Sequence, residues 1–589
     1  MLGKIVGIED NTVMLSLNAK IYEIQNIINL YVILEDKDKK IIGEIIDIKN
    51  NIAYINLIGE FTDAGFVFGI SHKPSFASDV KLVSKEKVNY IIGMNSDFEG
   101  KDLYVGKSPI YEGINIGLDI NNFFSNHFSI FGSTGSGKSC SVARIFQNLF
   151  NRKESIAYRA SIVLFDAYGE YYDAFQSLNE KNSQINFKTY TTNLDDNDKE
   201  IVKIPLWLLN IDDIALLLDA KSKTELPIIE KALKYVNIFA RNEADVIKSK
   251  NDIIARAILD ILSSGKEPSQ IRDQIFSVLS HYKTKDLNLD TPIYQPGYTR
   301  PLKQCLLIDQ AGKIREMELL TTFISQFLND DIELSVPNGS FKYTLEDLYE
   351  SFEFALISEG IFSSEKVYDD YNSLKVKLRT LKNSEYARYF NDCEYMTLNN
   401  FIKSILTIDG KKAQIINFNI NYVDDRFAKT ITKIYSRILF EYAKGLKVRA
   451  GVPIHIILEE AHRYVQNDSD IDVIGYNIFD RITKEGRKYA ILLGLISQRP
   501  SELSETAISQ CSNFLIFRMT HPKDIEYVSQ MIPSITSGII KKLKLLQPGN
   551  CIAFGSAFKI PVLIKLDMPD PAPSSSSCDI INTWFIRKN

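Results

Sequence analysis

The feature that most constrains this chain is the octapeptide Gly132-Ser133-Thr134-Gly135-Ser136-Gly137-Lys138-Ser139. It stands between an apolar run, Phe128–Phe131, and a segment of helical periodicity, Ser139–Phe150. The pattern fits G-x-x-x-x-G-K-[ST] in its strand–loop–helix setting. Glycines let such a loop wrap closely around phosphate groups, with backbone N–H groups turned inward. All eight residues are therefore candidate phosphate-binding residues. Lys138 is placed to reach β- and γ-phosphates and Ser139 to hold Mg²⁺. The helix N-terminus adds partial positive charge. Val142, Ile145, Phe146, Leu149 and Phe150 share one face of the predicted helix.

Around this loop the pattern predicts an α/β domain. Apolar runs at Ser161–Phe165, Gln414–Phe418, Ile454–Leu458, Ala490–Ile496 and Asn513–Phe517 read as strands, and alternation with helices indicates a parallel sheet. Cys551–Phe554 and Ile560–Ile564 read as a closing β-pair. Residues 1–100 read instead as short strands (Thr12–Leu17, Leu30–Leu34, Lys40–Ile48, Ile52–Ile58) broken by polar clusters, which suggests a small β-barrel with bends near Gly43 and Gly59. Residues 210–385 read as a helical insert, with Asn251 or Asp252 capping a helix that ends at Leu262. The expected division is 1–100 β domain, 101–209 and 386–566 the two parts of the core, and 567–589 a C-terminal tail. The tail's PDPAPSSSS reads as a flexible connection.

Three further groups fall at strand ends of this plan. Ile454–Leu458 runs into Glu459-Glu460, two carboxylates at the carboxyl end of a parallel strand, where they face a nucleotide crevice. One would hold Mg²⁺ through water and the other would orient or deprotonate the attacking water. Asp166 ends the strand after the phosphate-loop helix, near the same crevice. Gln498 ends another core strand, within reach of a γ-phosphate. Arg487 precedes that strand, on a segment able to reach a neighbouring subunit.

The 589 residues carry a net charge of −5, so contact with nucleic acid must be confined to a pore or groove. The opening MLGKIVGIED reads as no secretory signal, and no apolar run approaches the roughly 18 residues of a membrane span. The six cysteines are widely spaced, with no C-x-x-C pair, as expected of free thiols in a reducing cytoplasm.

Together the segments FGSTGSGKS, FDAYGEYYDAF, IPLWLLN, ILEEAHRYV, GRKYAILLGLISQRPSEL and PGNCIAFGSAFKIPVLIKL run in the order of the HerA-family ATPases, within the HerA–FtsK group of P-loop motors, which the chain resembles. The β-rich opening is similar to the HAS-barrel preceding that motor domain. The resemblance implies a RecA-like fold, a homohexameric ring with DNA in its central channel, and ATP with Mg²⁺ bound between subunits. Carried over by motif, Ser139 and Glu459 take the metal side, Glu460 is the catalytic carboxylate, Gln498 the sensor and Arg487 a finger acting in trans. One departure stands out: relatives often carry Arg-His before the phosphate-loop strand, and here the pair is Asn126-His127. The implied activity is ATP hydrolysis driving DNA translocation or unwinding alongside a separate nuclease or sirtuin-like effector, in DNA end processing or bacterial antiphage defence. The rival reading is an ATP-gated scaffold that organises and activates a partner. The sequence shows no nuclease motif of its own.

Overall fold

The computed structural model describes residues 1–18, 27–36, 39–63, 65–94, 100–152, 155–241, 243–329, 336, 338–358, 365–466, 470–531, 540, 542–574 and 580–585. The chain divides into two compact units. The first holds Met1–Glu200, Lys403–Asn467 and Ile478–Asn589, and the second Ile201–Ile402 with Asp468–Asn477.

The first unit is organised by a mixed sheet. Seven strands are parallel, in the order Phe187–Thr191, Ile415–Asn419, Ile162–Asp166, Ile454–Leu458, Ile491–Ser497, His127–Phe131 and Cys511–Ile516. Asn550–Gly555, Val562–Leu566, Asp102–Lys107 and Asn115–Asp119 extend it antiparallel. Four of the parallel strands, Ile162–Asp166, Ile454–Leu458, Ile491–Ser497 and His127–Phe131, are buried at every residue. That explains their largely apolar runs, interrupted by buried His127, Ser129 and His455, since both faces of a parallel sheet are covered. Each expected core strand is present to within two residues. Helix Lys138–Phe150 buries the expected face. The last two strands of the chain sit next to each other, as the closing β-pair requires.

The N-terminal strands form an antiparallel sheet around their own core, which includes Val13, Leu15, Val32, Leu34, Ile45 and Ile55. The Leu2 N–H donates to the Val80 carbonyl at 2.8 Å, bringing the first strand to the last. Beyond that contact there is no ladder between them among the described residues, so the sheet is curled and only partly closed. The register shifts at Gly43, as the glycine suggested. At Gly59 a Cβ would lie 2.4 Å from the Val67 carbonyl.

The second unit is mostly helical and includes Glu225–Phe239, Glu243–Leu262, Pro268–His281 and Leu345–Ser358. It is wider than 210–385 and takes in the IPLWLLN segment. Asn251 and Asp252 do not cap a helix; they lie inside Glu243–Leu262. Tertiary contacts satisfy both side chains instead. Asn251 bonds Thr284 and Asp286, while Asp252 pairs with Arg256 at 3.0 Å and accepts from the Asn329 N–H at 2.9 Å.

The start of the tail is not a free connection. Gln147, buried in the phosphate-loop helix, donates to the Pro571 carbonyl (2.8 Å) and accepts from the Asp570 N–H (3.0 Å). The Ser574 N–H donates to the Glu170 carbonyl at 2.8 Å. Among the described residues no helix is long and apolar enough to cross a membrane, and Cys140, Cys305, Cys393, Cys511 and Cys551 are free.

Gly494 tests the packing beneath the phosphate loop. A Cβ there would stand 2.5 Å from the Phe128 ring and 2.7 Å from Ile457 Cδ1. Overpacking of this kind costs about 1–3 kcal/mol. Gly494→Ala is expected to lower the melting temperature in calorimetry, whereas an unchanged melt would show that Phe128 moves aside freely.

Candidate active site

All the parallel strands end at one edge, and the polar residues gather there. The phosphate loop leaves the strand His127–Phe131 with its neighbours already bonded to it. The Gly132 N–H donates to the Ser497 carbonyl (3.3 Å), Ser133 to Arg518 (2.9 Å), and Gly549 donates to the Ser136 carbonyl (3.0 Å). Three glycines are required by geometry, Gly135 among them with φ 69°. A Cβ on Gly132 would lie 2.6 Å from both Phe517 Cβ and Ser136 Oγ, and Gly137 has φ 107°. The loop opens directly into the helix at Lys138, whose first N–H groups have no partners within the helix.

Successive strand residues face opposite ways, so Glu459 and Glu460 need a device to face one crevice. It is a left-handed backbone at Glu460, φ 48° and ψ 46°, followed by a 3₁₀ turn at Ala461–Arg463. Such a conformation is uncommon for a residue with a side chain and clusters at functional sites. Ser139 Oγ lies 3.5 Å from Glu459 Oε1. Gln498 bridges the rest: the Thr134 hydroxyl donates to its Oε1 (2.5 Å), and its amide donates to Glu460 Oε1 (2.9 Å). Gln498 thus ties the tip of the phosphate loop to the second carboxylate.

The crevice is short of positive charge. Burial pushes the Glu459 carboxyl well above the usual range, reinforced by Asp166 and Glu170. Burial also raises Glu460, opposed by Lys138 and by the Gln498 hydrogen bond. Lys138 is itself pushed down by burial, against the pull of Glu460, Glu459 and Glu170. Its ammonium folds back to the Ser133 carbonyl at 3.2 Å. His462 Nδ1 lies 3.3 Å from Glu460 Oε2, but burial lowers its pKa, so the ring is neutral near pH 7. Arg463 and Arg499 are engaged by Asp425 and Glu502. The buried atoms Glu459 Oε2, Glu460 Oε2 and Ser136 Oγ have no hydrogen-bond partner. A divalent cation beside Ser139 and Glu459, with phosphate against the loop, suits that set of orphaned groups.

Asp166 plays a different part from the one expected. It is fully buried, and its carboxylate accepts from the Gly169, Glu170 and Tyr171 N–H groups (2.8–3.0 Å) and from Asn417 Nδ2 (3.3 Å). It winds the Asp166–Tyr171 loop and stands behind Glu459, with its carboxylate committed to protein partners. The loop instead brings Glu170 close enough to bear on Lys138 and Glu459. Glu170 and the Thr134 link were missed from sequence; the GEY in FDAYGEY was the only available signal. Arg487 is not brought to this crevice either. It is exposed in the turn Gly486–Tyr489, at the amino end of Ile491–Ser497, whose carboxyl end carries Gln498. Seven residues of strand separate the two by roughly 20 Å.

Residues 103–296 match the family model described as the central domain of helicase HerA. The chain is similar to the DNA double-strand break repair helicase HerA of Sulfolobus acidocaldarius, 23% identical over 517 residues, covering 87% of this chain and 77% of that one. It is also similar to the probable DNA double-strand break repair helicase HerA of Methanocaldococcus jannaschii, 21% identical and covering 94% of each chain. The HerA of Saccharolobus solfataricus is 22% identical over 94% of this chain and 90% of its own. Among solved structures, VirB4 of Thermoanaerobacter pseudethanolicus aligns at TM-score 0.41 and 13% identity over 81% of this chain and 98% of that one, too slight a likeness to argue from.

The two carboxylates are separable by experiment. Glu460→Gln keeps the shape and the Gln498 contact but cannot accept a proton. It is expected to bind ATP with Mg²⁺ at near wild-type affinity and to hydrolyse it at least about 100-fold more slowly. If nucleotide trapping followed Glu459→Gln instead, the roles would be exchanged.

Proposed function

We propose that this chain, which belongs to the HerA family of P-loop ATPases, works as a closed homohexameric ring that moves along DNA threaded through its channel. It hydrolyses ATP in the presence of Mg²⁺, and that hydrolysis is coupled to DNA translocation. The observation carrying the ring is the division of the chemistry between two ends of one sheet. The phosphate loop, both glutamates and Gln498 lie at the carboxyl ends, while exposed Arg487 lies at the amino end. Arg487 is too far to serve its own nucleotide, and in this reading it serves that of a subunit packed head to tail. Heterologous contacts of that kind close into rings.

In this reading Lys138 and the loop N–H groups hold the β- and γ-phosphates, and Ser139 and Glu459 would hold Mg²⁺, which offsets charge on the phosphate oxygens. Glu460 orients the attacking water and takes its proton. Gln498 holds that carboxylate in place through one hydrogen bond and follows the loop tip through Thr134. The neighbour's Arg487 supplies the charge that the crevice lacks as the γ-phosphate leaves. Asn126 carries no charge and is occupied at its own helix, donating to the Asn122 carbonyl at 2.7 Å, so it does not replace a finger. The effector is a separate nuclease or sirtuin-like protein, in the cytoplasm, serving DNA end processing or antiphage defence.

Lys138→Ala is expected to abolish turnover, and Arg487→Ala to bind ATP and assemble but lose roughly 10³-fold or more in hydrolysis. Mixing the two inactive proteins should restore activity, because an intact loop then meets an intact arginine. No recovery in rings verified by native mass spectrometry would place Arg487 outside the neighbour's site.

DNA of any sequence should stimulate the ATPase, and added salt should weaken the effect, as for contacts to the phosphate backbone. An ATPase indifferent to DNA would favour the scaffold reading.

A further inference from the structure

The turn that carries Arg487 is held by a second arginine from another part of the chain. Helix Asp425–Lys444 ends at Gly445, and the connection that follows, on its way to the strand Ile454–Leu458, carries Arg449. Arg449 Nε donates to the Lys488 carbonyl at 2.9 Å. Its guanidinium also lies over the Tyr489 ring, 5.2 Å from the centroid. Tyr489 in turn meets Phe440 edge to face, 5.9 Å between centroids, and Phe440 is buried in the last turns of the same helix. The turn therefore has a fixed back, made of helix, aromatic ring and guanidinium, and a free front, where Arg487 and Lys488 are exposed.

The turn's backbone needs that support. Gly486 is packed so that a Cβ would stand 2.4 Å from the Ile491 carbonyl, and Ala490 closes the turn with φ 56°. The Ala490 N–H is shared within the turn between the Arg487 carbonyl, at 3.4 Å, and the Gly486 carbonyl, and neither bond fixes the Lys488 carbonyl. The sheet holds the far side, where the Ile454 N–H donates to the Ala490 carbonyl at 2.8 Å. The Lys488 carbonyl lies between these anchors, one residue from the finger.

We propose that Arg449 is a positioning residue for catalysis, bracing the Gly486–Tyr489 turn so that Arg487 meets the γ-phosphate in the neighbouring subunit. This rests on Arg487 acting in trans. Arg449 suits the task because one planar group both donates to a carbonyl and stacks on an aromatic face, which an ammonium does not do. A misplacement of about 1 Å in a catalytic group can cost about 100-fold in rate. Removing the brace should therefore lower turnover without touching the subunit's own ATP site.

The test is a double-mutant comparison in intact rings. Arg449→Ala should assemble and bind a fluorescent ATP analogue as the wild type does, with kcat down roughly 10- to 100-fold. Arg449→Lys should recover only part of the rate. Mixed with Lys138→Ala subunits, Arg449→Ala should regain activity, as Arg487→Ala does. Adding Arg449→Ala to Arg487→Ala should slow turnover little further, because the brace acts only through the finger. Multiplying losses would overturn the proposal and make Arg449 an independent contributor. So would wild-type kcat in Arg449→Ala, or loss of ring assembly as the cause of its defect. If Arg487→Ala itself kept wild-type turnover or failed to recover on mixing, the trans-finger reading would fall first, and the brace with it.

Discussion

Two carboxylates lying side by side at the end of a buried strand set the terms for what surrounds them. Glu459 and Glu460 are only 4% and 7% exposed, with fully buried Asp166 behind them. Withdrawing such charges from water costs several kcal/mol apiece unless cations and hydrogen bonds offset it. The subunit offers a partial offset: the Lys138 ammonium, one hydrogen bond from Gln498, and a neutral His462. What is missing is what ATP-bound Mg²⁺ and a cation from outside would bring. A crevice left incomplete in this way favours a ligand that brings positive charge with it.

The backbone, more than any side chain, makes this arrangement possible. A regular strand would send Glu459 and Glu460 to opposite faces, and the left-handed turn at Glu460 prevents that. Asp166 does a comparable service one strand away. By accepting three consecutive N–H groups it folds Asp166–Tyr171 into a tight loop and holds Glu170 near Lys138. The strain at Glu460 is tolerable because the strands on either side of it are fully buried and paired on both edges. Rigid strands hold the site, and a few irregular residues at their ends aim it.

That division also explains what was legible in the sequence. The strands could be found because a parallel sheet covered on both faces demands continuous apolar runs, and the phosphate loop because glycines, lysine and serine must recur at fixed spacing. The strand-end positions of Asp166, Glu459 and Gln498 followed from the same plan. Their partners did not. That Asp166 spends its carboxylate on its own loop, and that Asn251 bonds Thr284 and does not cap a helix, depends on hydrogen bonds that leave no periodic trace. The docking of Pro571 and Ser574 on the core was hidden for the same reason. Their Pro- and Ser-rich composition speaks for a loose chain, and one buried glutamine overrides it.

A parallel sheet has two chemically different edges, and this one separates charge accordingly. The carboxyl edge gathers Asp166, Glu170, Glu459 and Glu460 around a single lysine. The amino edge exposes Lys447, Arg449, Arg487 and Lys488 in two neighbouring connections joined by the Arg449–Lys488 hydrogen bond, with Lys484 exposed in the last turn of the helix before the second of these. The first set is buried or half-buried and the second is solvent-exposed. A net charge of −5 conceals this, because the sum is nearly balanced while the distribution is not. In the proposed head-to-tail assembly the amino edge of one subunit would meet the carboxyl edge of the next, with ATP between them. An open row of subunits would leave one unpaired edge at each end. Closing the row into a ring would pair both, and charges of opposite sign on the two edges would fix the order in which subunits meet.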